Sequence, residues 1–268
     1  MKFLLTAINA KFIHSNPAIY SLRAGAGEKL QPYVELAEFT INESLESILE
    51  GIWKRQPKVI GFSCYIWNWK LIREILTELP KILPDTEIWL GGPEVTYDGP
   101  GLLREFPQVT GIMVGEGEVT FREVLDQYVR EAESTGQSEQ QPEPDSIEQQ
   151  AADRKGTVAG KSVAERFGQI SGLCLASGYT APRELTDLTT LPFLYEDMEP
   201  FTNRIIYYET SRGCPYRCSY CLSSIDKKVR LRDIDVVKRE LQFFLDQNVK
   251  QVKFIDRTFN CDHKHAME

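Results

Sequence analysis

Three of the six cysteines in this 268-residue sequence, Cys214, Cys218 and Cys221, fall within eight consecutive residues of the stretch "RGCPYRCSYC". Thiolates are soft ligands that suit zinc, Cu(I) or iron–sulfur clusters. Structural zinc sites pair two separated cysteine knuckles to reach four ligands. Here the spacing is Cys-x3-Cys-x2-Cys and no second knuckle follows. The fourth-donor candidates, Cys261, His263 and His265, lie 40 to 44 residues after Cys221. A cubane cluster takes four thiolates, so three leave one iron with an open position. A catalytic metal centre requires such a position and a structural one avoids it. Crowded thiols in a chain of this size point to metal chemistry in a reducing cytoplasm rather than to a disulfide framework. Cys64 and Cys174 stand in apolar runs and read as buried thiols.

The elements that must position this loop surround it. Residues 204–210 read as a strand and 233–248 as a helix with Val237, Leu241, Phe244 and Leu245 on one face; 252–256 read as a second strand. That is one βαβ unit, which leaves sheet edges and a helix face uncovered. The expectation is an N-terminal part of a longer protein, or a partner surface supplied from elsewhere.

Upstream, strand-like apolar runs at 2–8, 33–39, 58–64, 87–90 and 111–114 alternate with amphipathic segments. Leu45, Ile48, Leu49, Ile52 and Trp53 make one helical stripe, with Asn42 as the expected N-cap. Leu71, Ile72, Ile75, Leu76 and Leu79 make a second, and Phe121, Val124, Leu125, Tyr128 and Val129 a third. Pro17 opens the first helix. Five strands with helical crossovers predict an α/β fold, a five-stranded parallel doubly wound sheet of flavodoxin or Rossmann-like type. The boundaries read as a first domain at 1–130, a flexible linker at 131–166, a connecting segment with short strands at 167–203, and the second module at 204–268. The linker is rich in Gln, Glu, Ser, Gly and Pro and lacks the apolar residues needed to build a core.

Composition narrows the function classes. A net charge of −8 argues against a generally basic nucleic-acid surface. With 42% apolar and 26% charged residues the chain reads as globular, and no run approaches a transmembrane length. The opening "MKFLLTAINAKFIH" lacks a small-residue cleavage pattern and reads as a buried first strand.

The stretch "RGCPYRCSYC" resembles the cluster-binding loop of the radical S-adenosylmethionine (radical SAM) superfamily. The resemblance implies a [4Fe–4S] cluster on Cys214, Cys218 and Cys221, with SAM closing the fourth iron and being cleaved to a radical that abstracts hydrogen from substrate. It makes the second module the first βαβ unit of a partial (β/α) barrel. It places Tyr220 near the adenine, and on "VKFIDRTFN" it places Asp256 at the methionine amino group, with Thr258 and Asn260 as lesser candidates. An ordinary strand-end role for Asp256 stands beside that reading. An electron donor such as flavodoxin or ferredoxin and a small-molecule or peptide substrate follow as expected partners.

A doubly wound sheet binds ligands beyond the carboxyl ends of its strands, where the strand order reverses. The loops there are "NAKFIHSN", "SCYIWNW", "GGPEVTYDG" and "GEGEVTF". Together with the cysteine loop they resemble the cobalamin-binding domain that precedes many radical SAM cores. Ser63, Gly91 and Gly92 stand where that family's Ser-x-Leu and Gly-Gly elements lie, with Tyr65 in place of the Leu. The Asp-x-His-x-x-Gly pattern that supplies a cobalt-ligating histidine is broken at both ends, by Phe12 and Pro17, so His14 is not assigned to cobalt. Trp67 and Trp69 read either as corrin-packing residues or as the start of a helix. The implied function is a cobalamin-binding radical SAM enzyme, methyl transfer being one chemistry open to it. Two rivals stay open: a methylthiotransferase-like enzyme with a non-cobalamin sheet domain, and a non-enzymatic zinc or redox-sensing module.

Overall fold

The computed structural model describes residues 1–134, 161–224 and 228–268. They form two compact units, one of Met1–Lys11 and Ala18–Glu184, the other of Phe12–Pro17 and Leu185–Glu268.

In the first unit, β1 (Phe3–Asn9), β2 (Val34–Thr40), β3 (Val59–Ser63), β4 (Glu87–Gly91) and β5 (Val109–Met113) are all parallel. Their order, β2-β1-β3-β4-β5, is the flavodoxin-like one. Every residue of β1 is buried, as a central strand covered on both faces requires. On one face Ile48 and Ile52 of α2 (Leu45–Trp53), Ile72, Ile75, Leu76 and Leu79 of α3 (Trp69–Ile82), and Leu103 of α4 (Gly99–Glu105) pack against the sheet. The other face receives Ile19 of α1 (Pro17–Gly25) and Phe121, Val124, Leu125, Tyr128 and Val129 of α5 (Gly117–Ser134). The third stripe is wholly buried and the second nearly so, with Leu71 half-buried, whereas the first buries only Ile48 and Ile52 and leaves Trp53 50% exposed. The cap of α2 is Ser44, whose hydroxyl accepts from the Ser47 amide, rather than Asn42, because the helix begins two residues later than the pattern suggested.

The sheet does not end at β5. Two short antiparallel strands, β6 (Leu173–Leu175) and β7 (Gly178–Tyr179), extend it to seven strands. The segment expected to be a connector at 167–203 is therefore divided: through Glu184 it belongs to the first unit, where buried Leu173, Cys174 and Leu175 cover the edge of β5.

The expected linker at 131–166 is helical at both ends, while its middle, 135–160, lies outside the described residues. α5 runs on to Ser134, and α6 (Val163–Phe167) opens with a capping box between Ser162 and Glu165. Arg166 on α6 has a side chain only 1% exposed. It donates to Glu87 at 2.9 Å and to Glu131 at 2.9 Å, and its guanidinium lies over the rings of Tyr128 and Phe167. Composition hid this clasp because one buried arginine is invisible in a polar tract.

In the second unit, β8 (Ile206–Tyr208) pairs in parallel with β11 (Val252–Phe254), and β9 (Ser211–Arg212) pairs antiparallel with β10 (Arg230–Leu231). The crossover helix α7 (Ile234–Asp246) is capped by Asp233, which accepts from the Asp235 and Val236 amides. α7 buries Val237, Glu240 and Phe244, whereas Leu245 is 70% exposed and leaves the expected face. The reason is chemical: Glu240 turns inward because Tyr208 and Arg232 both donate to its carboxylate. A short helix, α8 (His263–Met267), completes the described chain. Residues 12–17 join this unit through a bridge between His14 and Ile205, with the Ile205 amide donating to the Ile13 carbonyl at 2.9 Å. Among the described residues no helix is long and apolar enough to cross a membrane.

Candidate functional site

The register of the first unit sets Ala7 beside Ser63 and Ser63 beside Gly91, so the residues expected to meet cobalamin stand side by side at the carboxyl ends of neighbouring strands. Ser63, Gly91 and Gly92 are all half-buried. Gly92 has φ +108°, and a Cβ there would sit 2.5 Å from the Cys64 carbonyl oxygen. Only glycine permits that approach. The Cys64 amide in turn donates to the Gly91 carbonyl at 2.7 Å, stitching the loops after β3 and β4 together at their base. The Cys64 thiol is fully buried, and burial pushes its pKa far above the usual thiol range, which makes it inert.

Sequence reasoning missed Asn68. Its side chain is completely buried, and its amide nitrogen donates to the carbonyls of Ile8 at 3.1 Å and Ser63 at 2.9 Å. Its oxygen accepts from the Tyr65 amide at 2.8 Å. These bonds tie the ends of β1 and β3, the pair at which the strand order reverses, and fold the next loop back on itself. Asn68 stands at the N-cap of α3, but its side chain makes these tertiary bonds instead of a capping bond. The two tryptophans separate. Trp69 opens α3 and packs edge-on to Phe106. Trp67 stacks on Tyr65, ring centroids 4.3 Å apart and 10° from parallel, and remains 48% exposed.

His14 belongs to the second unit, where its Nδ1 is hydrogen-bonded to the Tyr207 hydroxyl and Ser15 donates to the Ile205 carbonyl at 3.1 Å. Tyr195 donates to the Tyr207 carbonyl, and burial raises the Tyr207 phenol. His14 is thus partnered by Tyr207 within the second unit.

The cysteine loop leaves β9 through Gly213, at φ +94°, where a Cβ would come within 2.3 Å of the Lys228 carbonyl oxygen. Cys214, Cys218 and Cys221 are half-buried and none is disulfide-bonded. The Cys221 amide closes a turn onto the Cys218 carbonyl at 3.1 Å. The Cys214 sulfur lies 3.4 Å from the Thr258 hydroxyl. Among the described residues no three His, Cys, Asp or Glu side chains converge as a metal site, so the three thiols share a loop without sharing a point, and Cys261, His263 and His265 do not complete a centre. Tyr220 is 91% exposed. Asp256 is brought to the end of β8, where its carboxylate accepts from the Thr210 amide at 3.2 Å and from the hydroxyls of Thr210 and Ser211. In this arrangement Asp256 is a clasp between strand ends.

Residues 4–125 match the B12 binding domain family. Residues 12–17 aside, that match lies within the first unit. The carboxyl edge of its sheet carries the glycines of the β4 loop and the Asn68 brace. The chain is 26% identical over 248 residues to a 2-(S-pantetheinyl)-carbapenam-3-carboxylate methyltransferase of Streptantibioticus cattleyicolor, covering 88% of this chain and 32% of that protein. It is 28% identical over 215 residues to the cobalamin-dependent radical SAM methyltransferase TokK of Streptomyces tokunonensis, covering 76% of this chain and 28% of that one. The solved structure of the cobalamin-dependent S-adenosylmethionine radical enzyme OxsB, with aqua-cobalamin and S-adenosylmethionine bound, superposes with a TM-score of 0.67 at 17% identity, over 96% of this chain and 34% of that one. The chain thus spans about a third of the length of these relatives.

The residues present fit both groups by different criteria. For cobalamin the fit is steric, since Gly91 beside Ser63 carries no side chain at the strand ends and Gly92 lets the β4 loop pack against the Cys64 backbone. For an iron–sulfur cluster it is chemical, since three thiols outside any disulfide sit on a single loop.

Proposed function

We propose that this chain is the cofactor-binding part of a cobalamin-dependent radical SAM methyltransferase. The observation that carries the reading is the pairing of a B12-binding domain with a Cys-x3-Cys-x2-Cys loop just beyond a parallel strand. When bound, the cluster supplies the electron for reductive cleavage of SAM and cobalamin supplies a methyl carrier. Cys214, Cys218 and Cys221 would hold the cluster, Gly213 lets the chain turn into their loop, and Tyr220 offers an exposed ring for stacking. Ser63, Gly91 and Gly92 would border the corrin, and Asn68 fixes the edge on which they stand. Asp256 contributes by positioning, holding the end of β11 to β8, rather than by offering a vacant carboxylate to SAM. The thiol-rich loop suits a reducing cytoplasm, with a flavodoxin or ferredoxin as electron donor and a small molecule or peptide as methyl acceptor.

The test is anaerobic reconstitution of the full chain with ferrous iron, sulfide and hydroxocobalamin, followed by quantification of each. Expected are about four irons and four acid-labile sulfides per chain, as a cubane requires, with retained corrinoid. Iron and sulfide without corrinoid would favour a methylthiotransferase-like enzyme. Zinc without sulfide would refute the radical reading.

A further inference from the structure

Thr258 follows β11 and is half-buried, and its hydroxyl is 3.4 Å from the sulfur of Cys214. Its neighbour two residues earlier, Asp256, is clasped by Thr210 and Ser211 on the strand end that leads into Cys214. The contact is therefore held from both sides: the clasp fixes the backbone before Thr258, and β9 with Gly213 fixes the backbone before Cys214. In the free thiol either atom can donate. Once the sulfur is a metal-bound thiolate it has no proton, so only the hydroxyl can, and the bond becomes charge-assisted.

We infer that Thr258 is a positioning and tuning residue for the cluster, donating a hydrogen bond to the ligating sulfur of Cys214 and raising the reduction potential. This rests on the cluster assignment above. Hydrogen bonds to ligand sulfurs stabilise the reduced, more negative cluster and so raise its potential.

The experiment compares wild type, Thr258→Val and Thr258→Ser on the full chain, reconstituted under argon with ferrous iron and sulfide and poised at fixed potentials. The reduced cluster is read by electron paramagnetic resonance, and iron and sulfide are quantified in parallel. Valine keeps the shape and removes the donor, whereas serine keeps the donor. Expected is a fall of three- to tenfold in the reduced-to-oxidised ratio at a given poise for Thr258→Val; tenfold corresponds to about 59 mV for one electron. Thr258→Ser restores the ratio. A cluster present in normal amount with an unmoved potential in Thr258→Val overturns the tuning role and leaves the cluster assignment standing. Absence of any iron–sulfur cluster in the wild type overturns both. If Thr258→Val does not fold, a wild-type ratio in Thr258→Ser together with a lowered ratio in Thr258→Ala supports the role, and equal ratios in both refute it.

Discussion

Arg166 offers the sharpest test of how the first unit is closed. Its guanidinium is shared between Glu87, at the start of β4, and Glu131, near the end of α5, and it caps the rings of Tyr128 and Phe167. Arg166→Met keeps the aliphatic packing and removes the charge. Two carboxylates are then left without the cation that compensated them. Breaking a buried ion pair from one side costs ~3–5 kcal/mol. Glu87 and Glu131 retain 18% and 16% exposure, so solvent relieves part of that penalty and the lower end applies, about 3 kcal/mol. For a unit of this size each kcal/mol lowers the midpoint by about 2–4 °C, giving a fall of roughly 6–12 °C.

Differential scanning calorimetry of wild type and Arg166→Met reads that change in the first unit's transition. The triple variant Arg166→Met, Glu87→Gln, Glu131→Gln removes the stranded charges and is expected to recover at least half of the loss. A single variant within about 0.5 kcal/mol of wild type would mean that the clasp contributes no more than an ordinary surface pair, and the reasoning would be wrong.

Asn68→Ala leaves two carbonyls and one amide without their partner and is expected to cost about 2 kcal/mol or more of stability and to weaken hydroxocobalamin retention at least tenfold, read by equilibrium dialysis. Asn68→Asp, which keeps the acceptor and loses the donor, should fall between. Gly92→Ala forces a Cβ against the Cys64 carbonyl at positive φ, and a loss of roughly 1–3 kcal/mol is expected in urea unfolding; an unchanged midpoint would refute the packing argument. Burial and the neighbouring Glu240 carboxylate push the Tyr208 phenol upward, so the folded protein keeps a proton that the unfolded chain releases above its ordinary value near ~10. Its contribution is complete below that value and is lost as pH rises beyond it, so unfolding followed across pH 9 to ~11 should show a steeper alkaline loss in wild type than in Tyr208→Phe.

The parallel sheet could be read from the chain because its signal is repeated. The runs that became β1, β3 and β4 are largely apolar, Thr6 being the one polar residue between Phe3 and Ile8, and the stripes of α3 and α5 recur at helical spacing over several turns. The cysteine loop stands out in the sequence for a similar reason, three identical donors at short fixed intervals, and the structure shows those thiols on one loop and outside any disulfide. What escaped were single residues whose role depends on a distant partner. Asn68 meets Ile8 sixty positions earlier, Arg166 meets Glu87 across 79 positions, and Glu240 meets Tyr208 across 32. No local period encodes such pairs. The short strands β6 and β7 were seen as strands, but their attachment to β5 is a long-range pairing and was not.

The two candidate sites are built by opposite means. At the carboxyl edge of the first unit, backbone register fixes the positions of Ser63 and Gly91, and buried side-chain bonds from Asn68 lock the strand ends. Little ordering remains to be done there, so free energy of contact with a corrin would appear largely as affinity. The cysteine loop is half-exposed; a turn joins Cys218 to Cys221 and Thr258 contacts Cys214. Gathering three sulfurs onto a single cubane must offset the entropy of fixing that loop, which couples metal uptake to local folding. On the proposed reading Cys214, already tied to Thr258 and following a paired strand, would be the anchor about which Cys218 and Cys221 close.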